Sequence, residues 1–120
     1  MNLPMVAEKS YNFALRIINL YKWLVAEHNE YVLSKQLLRS GTAIGALIKE
    51  GEHAQSKADF LNKMNIALKE ANETEYWLML LKDAVFLSEK EFVSIHLDCQ
   101  ELIKLLISIV KTTKERLNRS

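Results

Sequence analysis

Between Leu37 and Leu81 the chain has no proline, and its apolar residues return every three or four positions with one short polar interruption at residues 51–55. That return is the period of one face of an α-helix; a half-buried strand would alternate instead. The stretch therefore reads as two long amphipathic helices with a short break between them. The remainder follows the same rule. One Pro and three Gly in 120 residues leave few turns, and a chain of several strands would need far more.

Taken in order, the pattern predicts helices over about residues 5–28, 34–53, 57–86 and 89–117. Pro4 suits a first turn, where a missing N–H is not needed. The first helix carries two apolar rows: Ala7, Tyr11, Ala14, Ile18, Tyr21 and Val25 as a heptad seam, and Phe13, Ile17, Leu20 and Leu24 beside it. Two rows are more apolar surface than one helix of a monomeric bundle needs, and they point to a partner chain. Ser34 is the expected N-cap of the second helix, whose inward face is Leu37, Leu38, Gly41, Ile44, Gly45 and Ile48. A helical Gly costs roughly 0.5–1 kcal/mol relative to Ala. Gly41 and Gly45, one turn apart, are therefore expected where a backbone or a large side chain such as Tyr76 or Trp77 comes close.

Ser56-Lys57-Ala58-Asp59 and Ser88-Glu89-Lys90-Glu91 have the form of capping boxes and open the third and fourth helices. Phe60, Met64, Ala67, Leu68, Ala71, Leu78, Leu81 and Val85 mark the inward face of the third. Glu75 lies near that face and needs a partner, a Tyr hydroxyl or a backbone donor. The fourth turns Phe92, Ile95, Cys99, Leu102, Ile103, Leu106, Val110 and Leu117 inward, widened by Leu105, Ile107 and Ile109. Short loops make neighbours antiparallel, so the expected fold is all-α: one domain, an up-down-up-down four-helix bundle.

Sixteen Lys/Arg against fifteen Asp/Glu give a formal net charge of +1, which removes the global argument for nucleic acid and leaves only local ones. Lys35, Arg39 and Lys49 fall within about 80° of one another around the second helix at 100° per residue. A solvated face accounts for them, and a phosphate-binding surface is the alternative. Lys104, Lys111, Lys114, Arg116 and Arg119 gather toward the end of the fourth helix. There they complement its dipole or form a second basic patch.

Candidate chemistry is sparse. Glu50-Gly51-Glu52-His53 holds one Glu-x-x-His, where a di-metal bundle site needs two such pairs and two further Glu. His28, His53 and His96 share no motif; His96 is expected to be a hydrogen-bonded, partly buried side chain. Cys99 reads as a small core residue. No phosphate-binding Gly loop, zinc spacing or nucleophile–base–orienter set occurs. The reading is of no enzyme, no metal, no cofactor and no small-molecule substrate. The one Cys and the absence of a signal peptide or of a long apolar run give a cytoplasmic expectation with no membrane partner.

The segment Tyr31-Val-Leu-Ser-Lys-Gln-Leu-Leu-Arg-Ser-Gly-Thr-Ala-Ile-Gly-Ala46 resembles the signature of the four-helix bundle family named after 23S rRNA intervening sequences. Lys9-Ser-Tyr-Asn-Phe-Ala-Leu-Arg-Ile17, Ser56-Lys-Ala-Asp-Phe60 and Ala67-Leu-Lys-Glu-Ala-Asn-Glu-Thr-Glu-Tyr-Trp-Leu78 are similar to the same family, so the resemblance spans nearly the whole chain. Leu47, where the family often has Asn, and Gly51-Glu-His-Ala54 depart from it, and any polar role of that Asn is lost. The resemblance implies a small bacterial four-helix bundle, a ring-like homopentamer and no enzyme activity. A related branch, the accessory proteins of diversity-generating retroelements, binds RNA and a reverse transcriptase through basic surfaces. The near-neutral charge points away from that branch.

Two functions follow as expectations. In the first the chain is a homo-oligomer that binds RNA or a ribonucleoprotein, with Lys35, Arg39, Lys49, Lys104, Lys111, Lys114, Arg116 and Arg119 as phosphate contacts. In the second it is a protein-interaction adaptor or scaffold with no affinity for nucleic acid.

Overall fold

The computed structural model describes residues 3–119, and four helices account for nearly all of them: α1 (Leu3–His28), α2 (Leu33–Glu52), α3 (Lys57–Asp83) and α4 (Glu89–Arg119). Contacts across each seam give the topology directly. Gly41 and Gly45 of α2 face Ile17 and Ser10 of α1, so those helices run in opposite directions. Gly51 faces Phe60 while Ser40 bonds Thr74, which sets α3 antiparallel to α2. Lys82 lies over Phe92 and Cys99 reaches Ala71 O, which reverses α4 against α3. Lys9–Glu101 and Arg16–Asp98 close α4 back on α1. The result is an up-down-up-down bundle measuring 52 × 22 × 20 Å.

The core is one continuous file of side chains. Phe13, Ile17, Leu24, Leu37, Ile44, Ile48, Met64, Leu78, Leu81, Leu102 and Leu106 are all essentially inaccessible to water. On α1 the second apolar row supplies this core, together with Val6 and the hydroxyl-bearing Ser10. The heptad seam turns outward: Tyr11 is 64% exposed, and Ala7, Ala14, Ile18, Tyr21 and Val25 are half-buried. Among the described residues the buried hydroxyls are all satisfied. Ser10 donates to Ala7 O at 2.9 Å, Thr74 to Glu70 O at 2.8 Å and Thr113 to Ile109 O at 2.7 Å. Such bonding back along a helix lets a small polar residue sit in an apolar seam without an orphaned group.

Both capping boxes form. Glu91 N–H donates to Ser88 Oγ (3.1 Å) and Ser88 N–H to Glu91 Oε1 (2.9 Å). Asp59 N–H donates to Ser56 Oγ (3.0 Å), and Asp59 Oδ2 accepts from Gln55 N–H, one residue earlier than a strict box (3.3 Å). The start of α2 differs from expectation. Ser34 is inside the helix and donates its hydroxyl to Glu30 O at 2.6 Å. The cap is the Glu30 carboxylate, which accepts the N–H groups of Val32 (2.9 Å), Leu33 (3.0 Å) and Ser34 (3.2 Å). A negative charge set against three free N–H groups satisfies both the donors and the helix dipole.

The end of α3 also differs. The helix stops at Asp83, short of residue 86, and Val85 leaves the inward face altogether, 83% exposed. It adopts φ 68°, a left-handed conformation that β-branched residues rarely take. The bonds Val85 N–H to Lys82 O (3.0 Å) and Phe86 N–H to Leu81 O (2.9 Å) hold that turn. The reversal lets Leu87 drop into the core at 5% exposure. Within the fourth helix, Ile109 is buried and Leu105 half-buried, but Ile107 is 51% exposed.

Candidate functional site

The residues singled out by spacing separate into three places. The first is the α1–α2 seam. A Cβ at Gly41 would stand 2.8 Å from Ile17 Cγ1, and one at Gly45 would stand 3.3 Å from Ser10 Oγ and 3.4 Å from Ser10 O. The glycines therefore admit α1, one a side chain and the other a backbone. Tyr76 and Trp77 are not the partners: they pack edge-to-face on each other (5.1 Å), and Tyr76 is largely exposed. Outside the glycines, Ala7, Tyr11, Ala14, Thr42 and Ala46 line a shallow groove with Lys49 and Glu52 at its end.

The second place is the α2–α3 seam. Arg39 lies between two carboxylates, with Nη1 2.8 Å from Glu70 Oε2 and Nη2 on Glu73 Oε2. Trp77 Nε1–H donates to the same Glu73 oxygen at 3.0 Å. The indole N–H, with the Arg39 charge behind it, holds the Glu73 carboxyl below its usual range against the opposing effect of burial. Across the next seam Glu75 finds His96, Oε2 to Nε2 at 2.8 Å, where a Tyr hydroxyl or backbone donor was expected. His96 is half-buried and stacks on Phe92 at 4.6 Å. Cys99 is fully buried; desolvation, then the Glu75 charge, pushes its thiol up to about 12. A thiol held protonated is a packing group and not a nucleophile.

The third place is the end of the bundle where α2 stops, α3 starts and α4 finishes. Lys57 and Arg116 line one groove of about 250 Å³ with Phe60 and Thr113, so one α4 cation shares a groove with a lysine from α3. Lys49 sits in the last turn of α2 at the same end, while Lys35 and Arg39 lie toward its other end, about 21 Å and about 15 Å from Lys49 at 1.5 Å per residue. The α2 stripe is thus split by distance and by the engagement of Arg39. Lys35, Lys49, Lys57, Lys104, Lys111, Lys114 and Arg119 form no ion pair with any described residue. Of the carboxylates near this end, Glu50 is drawn to Lys63 (3.5 Å) and Asp59 to the Gln55 N–H. Lys57 was missed by sequence reasoning because it is a lone Lys in a capping turn. Only the packing of α3 on α4 joins it to the others.

No group of three or more potential metal ligands clusters among the described residues, and none of their helices is long and apolar enough to cross a membrane.

The family model for the 23S rRNA-intervening sequence protein matches residues 4–108. None of the curated proteins matches. A crystal structure from Bacteroides thetaiotaomicron, described as a protein of unknown function from the S23 ribosomal protein family, is 59% identical to this chain and superposes with a TM-score of 0.91, covering 92% of this chain and 99% of that one. The sequence signature, the four-helix architecture and this match over most of its length agree: the chain belongs to the 23S rRNA-intervening sequence protein family.

Proposed function

We propose that the chain is a non-enzymatic, self-associating four-helix bundle that binds RNA or a ribonucleoprotein through its basic end. The observation that carries the binding reading is the gathering of Lys57, Lys111, Lys114 and Arg119 at one end without ion pairs among the described residues. Phosphate contacts need cations whose charge is not already spent, and such contacts confer affinity with little sequence choice. Lys49 extends the surface and Lys104 lies further along α4; Arg116 shares the groove with Lys57. Lys35 and Arg39 would contribute only to a ligand long enough to reach the other end of α2.

Self-association is supported by the outward row of α1. The α1–α4 and α2–α3 seams each carry an ion pair, Lys9–Glu101 and Arg39–Glu70, and the α3–α4 seam carries the Glu75–His96 hydrogen bond. The α1–α2 seam presents Tyr11, Ala14, Ile18 and the small residues of α2 instead. A second copy covering that face would bury apolar surface at no cost in broken ion pairs. A ring of five is what the family resemblance implies, and repetition around a ring multiplies weak phosphate contacts through avidity.

Titration of the protein against structured RNA across a salt series tests the binding reading. Affinity should fall linearly with salt on logarithmic axes, and reversing Lys57, Lys111 and Lys114 to Glu should abolish it. No binding at low salt would leave the adaptor reading, in which the outward row serves a protein partner. A native mass of a single 13.9 kDa chain at micromolar concentration would overturn self-association.

A further inference from the structure

The seam between α1 and α4 is pinned along one half and open along the other. Lys9 to Glu101 (2.9 Å) and Arg16 to Asp98 (2.6 Å) close it. Beyond Arg16 the two helices border an open surface cleft of about 660 Å³, a volume within the range of roughly 300–1,000 Å³ typical of small-molecule sites. Its floor is Leu20, Leu87 and Ile95, and one wall is the half-buried ring of Trp23, held edge-on by His28 at 4.6 Å.

The polar groups around this cleft are unbalanced. Its acceptors are largely used: Ser94 Oγ accepts from Arg16 Nη2 at 3.0 Å, and Glu91 Oε1 from the Ser88 N–H at 2.9 Å. Its donors are not. Trp77 donates its indole N–H to Glu73, but the Trp23 indole N–H, the Asn19 amide and the Lys90 ammonium have no hydrogen-bond or ion-pair partner among the described residues. Lys90 also lies in the first turn of α4, at the positive end of a 31-residue helix. The cleft therefore combines a planar aromatic wall, an apolar floor, an amide able both to donate and to accept, and a lysine that forms no ion pair although Glu89 and Glu91 flank it in the first turn. A flat heteroaromatic body carrying an anion satisfies all four at once.

We propose that this cleft binds a nucleotide, with the base against Trp23 over Leu20 and Ile95, its edge toward Asn19, and the phosphate at Lys90. None of the basic residues assigned to RNA above takes part, so the inference stands apart from that reading. Two sources supply the same chemistry: a free mononucleotide, or a single-stranded nucleotide of an RNA strand.

The chain has two tryptophans, so Trp77→Phe leaves Trp23 as the only indole reporter. Its fluorescence under selective tryptophan excitation is followed while adenosine or uridine monophosphate, a short single-stranded oligoribonucleotide, or the corresponding duplex is added. Calorimetry on the wild-type chain repeats each titration independently of that variant. Saturable quenching is expected with the mononucleotides or the single strand, and Lys90→Glu, at an exposed first-turn position that accepts an acid, should weaken it about tenfold. Quenching by mononucleotides identifies a free-nucleotide site; quenching by the single strand alone identifies an RNA site. No response to either, a response to duplex only, or a response that Lys90→Glu leaves unchanged overturns the proposal. Duplex binding that depends on Lys57, Lys111 and Lys114 while Trp23 stays silent would retain the basic-end reading and remove this one.

Discussion

Ile17 occupies the space that a side chain at Gly41 would need, its Cγ1 only 2.8 Å from the ideal Cβ position. Both residues lie mid-helix, so neither can move without its whole turn. At Gly45 the nearest atoms are Ser10 Oγ and O, at 3.3 and 3.4 Å, which need yield only slightly. Gly41→Ala should therefore destabilise by about 1–2 kcal/mol, an overpacking cost reduced by the better helix propensity of Ala. Gly45→Ala should cost less. Chemical denaturation of both variants checks the order, and a Gly41→Ala protein as stable as wild type would refute the close approach.

Val85 combines a left-handed backbone with 83% exposure. Nothing in the packing rewards its side chain, and the conformation costs an L-residue roughly 1–2 kcal/mol. Val85→Gly should raise stability by about 0.5–1 kcal/mol, the entropy of an added Gly taking back part of the gain. Val85→Ala should change little. A lower unfolding midpoint for the Gly variant would contradict the strain argument.

The Glu30 carboxylate is the N-terminal cap of α2, holding Val32, Leu33 and Ser34 N–H groups. Glu30→Ala should cost about 1–2 kcal/mol, as loss of a strong cap does. Ser34→Ala should also destabilise, since its hydroxyl donates to Glu30 O and ties the loop to the helix. Hydrogen exchange should show the added fraying confined to the first turns of α2. Uniform loss of protection along the bundle would argue against a capping role.

Acid stability should depend on the Trp77–Glu73–Arg39 network. The folded Glu73 carboxyl titrates below its unfolded value because Trp77 donates to it and Arg39 stands beside it. A depressed carboxylate contributes stability that is fully present above the unfolded pKa of about 4.3 and is lost as pH falls through the lower folded value. Trp77→Phe removes the N–H. The variant should lie below wild type at neutral pH and approach it as pH falls. A gap that stays constant with pH would mean that only packing was lost.

The cations of the basic end and Arg39 of α2 have separable roles. Lys111, Lys114 and Arg119 make no ion pair with any described residue, so replacing each singly by Gln should leave stability within about 0.5–1 kcal/mol of wild type, the loss being that of a favourable charge near the helix C-terminus. Reversing Arg39 should destabilise, because Glu70 and Glu73 would lose their shared cation. Thermal unfolding of the two sets checks the contrast. Equal losses would mean that the α4 cations are structural.

The sequence by itself determined the four helices, both capping boxes, the burial of Cys99 and the half-buried, hydrogen-bonded state of His96. Those depend on period, on local chain chemistry and on the cost of an unsatisfied polar group. All are readable along one helix. It also carried the two rows of α1 but not the choice between them. Either row could face inward, and only the small residues of α2 decided, since Gly41 and Gly45 admit the Ile17 and Ser10 side of α1 and leave Tyr11 outside. What lay across a seam was not legible. Glu75 meets His96 and Lys57 shares a groove with Arg116 because of how α3 and α4 are staggered, and Arg39 is neutralised by residues more than thirty positions away. Val85 reads as one more inward position in the third helix's periodicity; it is outside because Leu87 must enter the core, which turns the chain before the helical repeat runs out. A single helix fixes its own faces through its period, and only neighbouring helices fix which face is buried and which charges remain free.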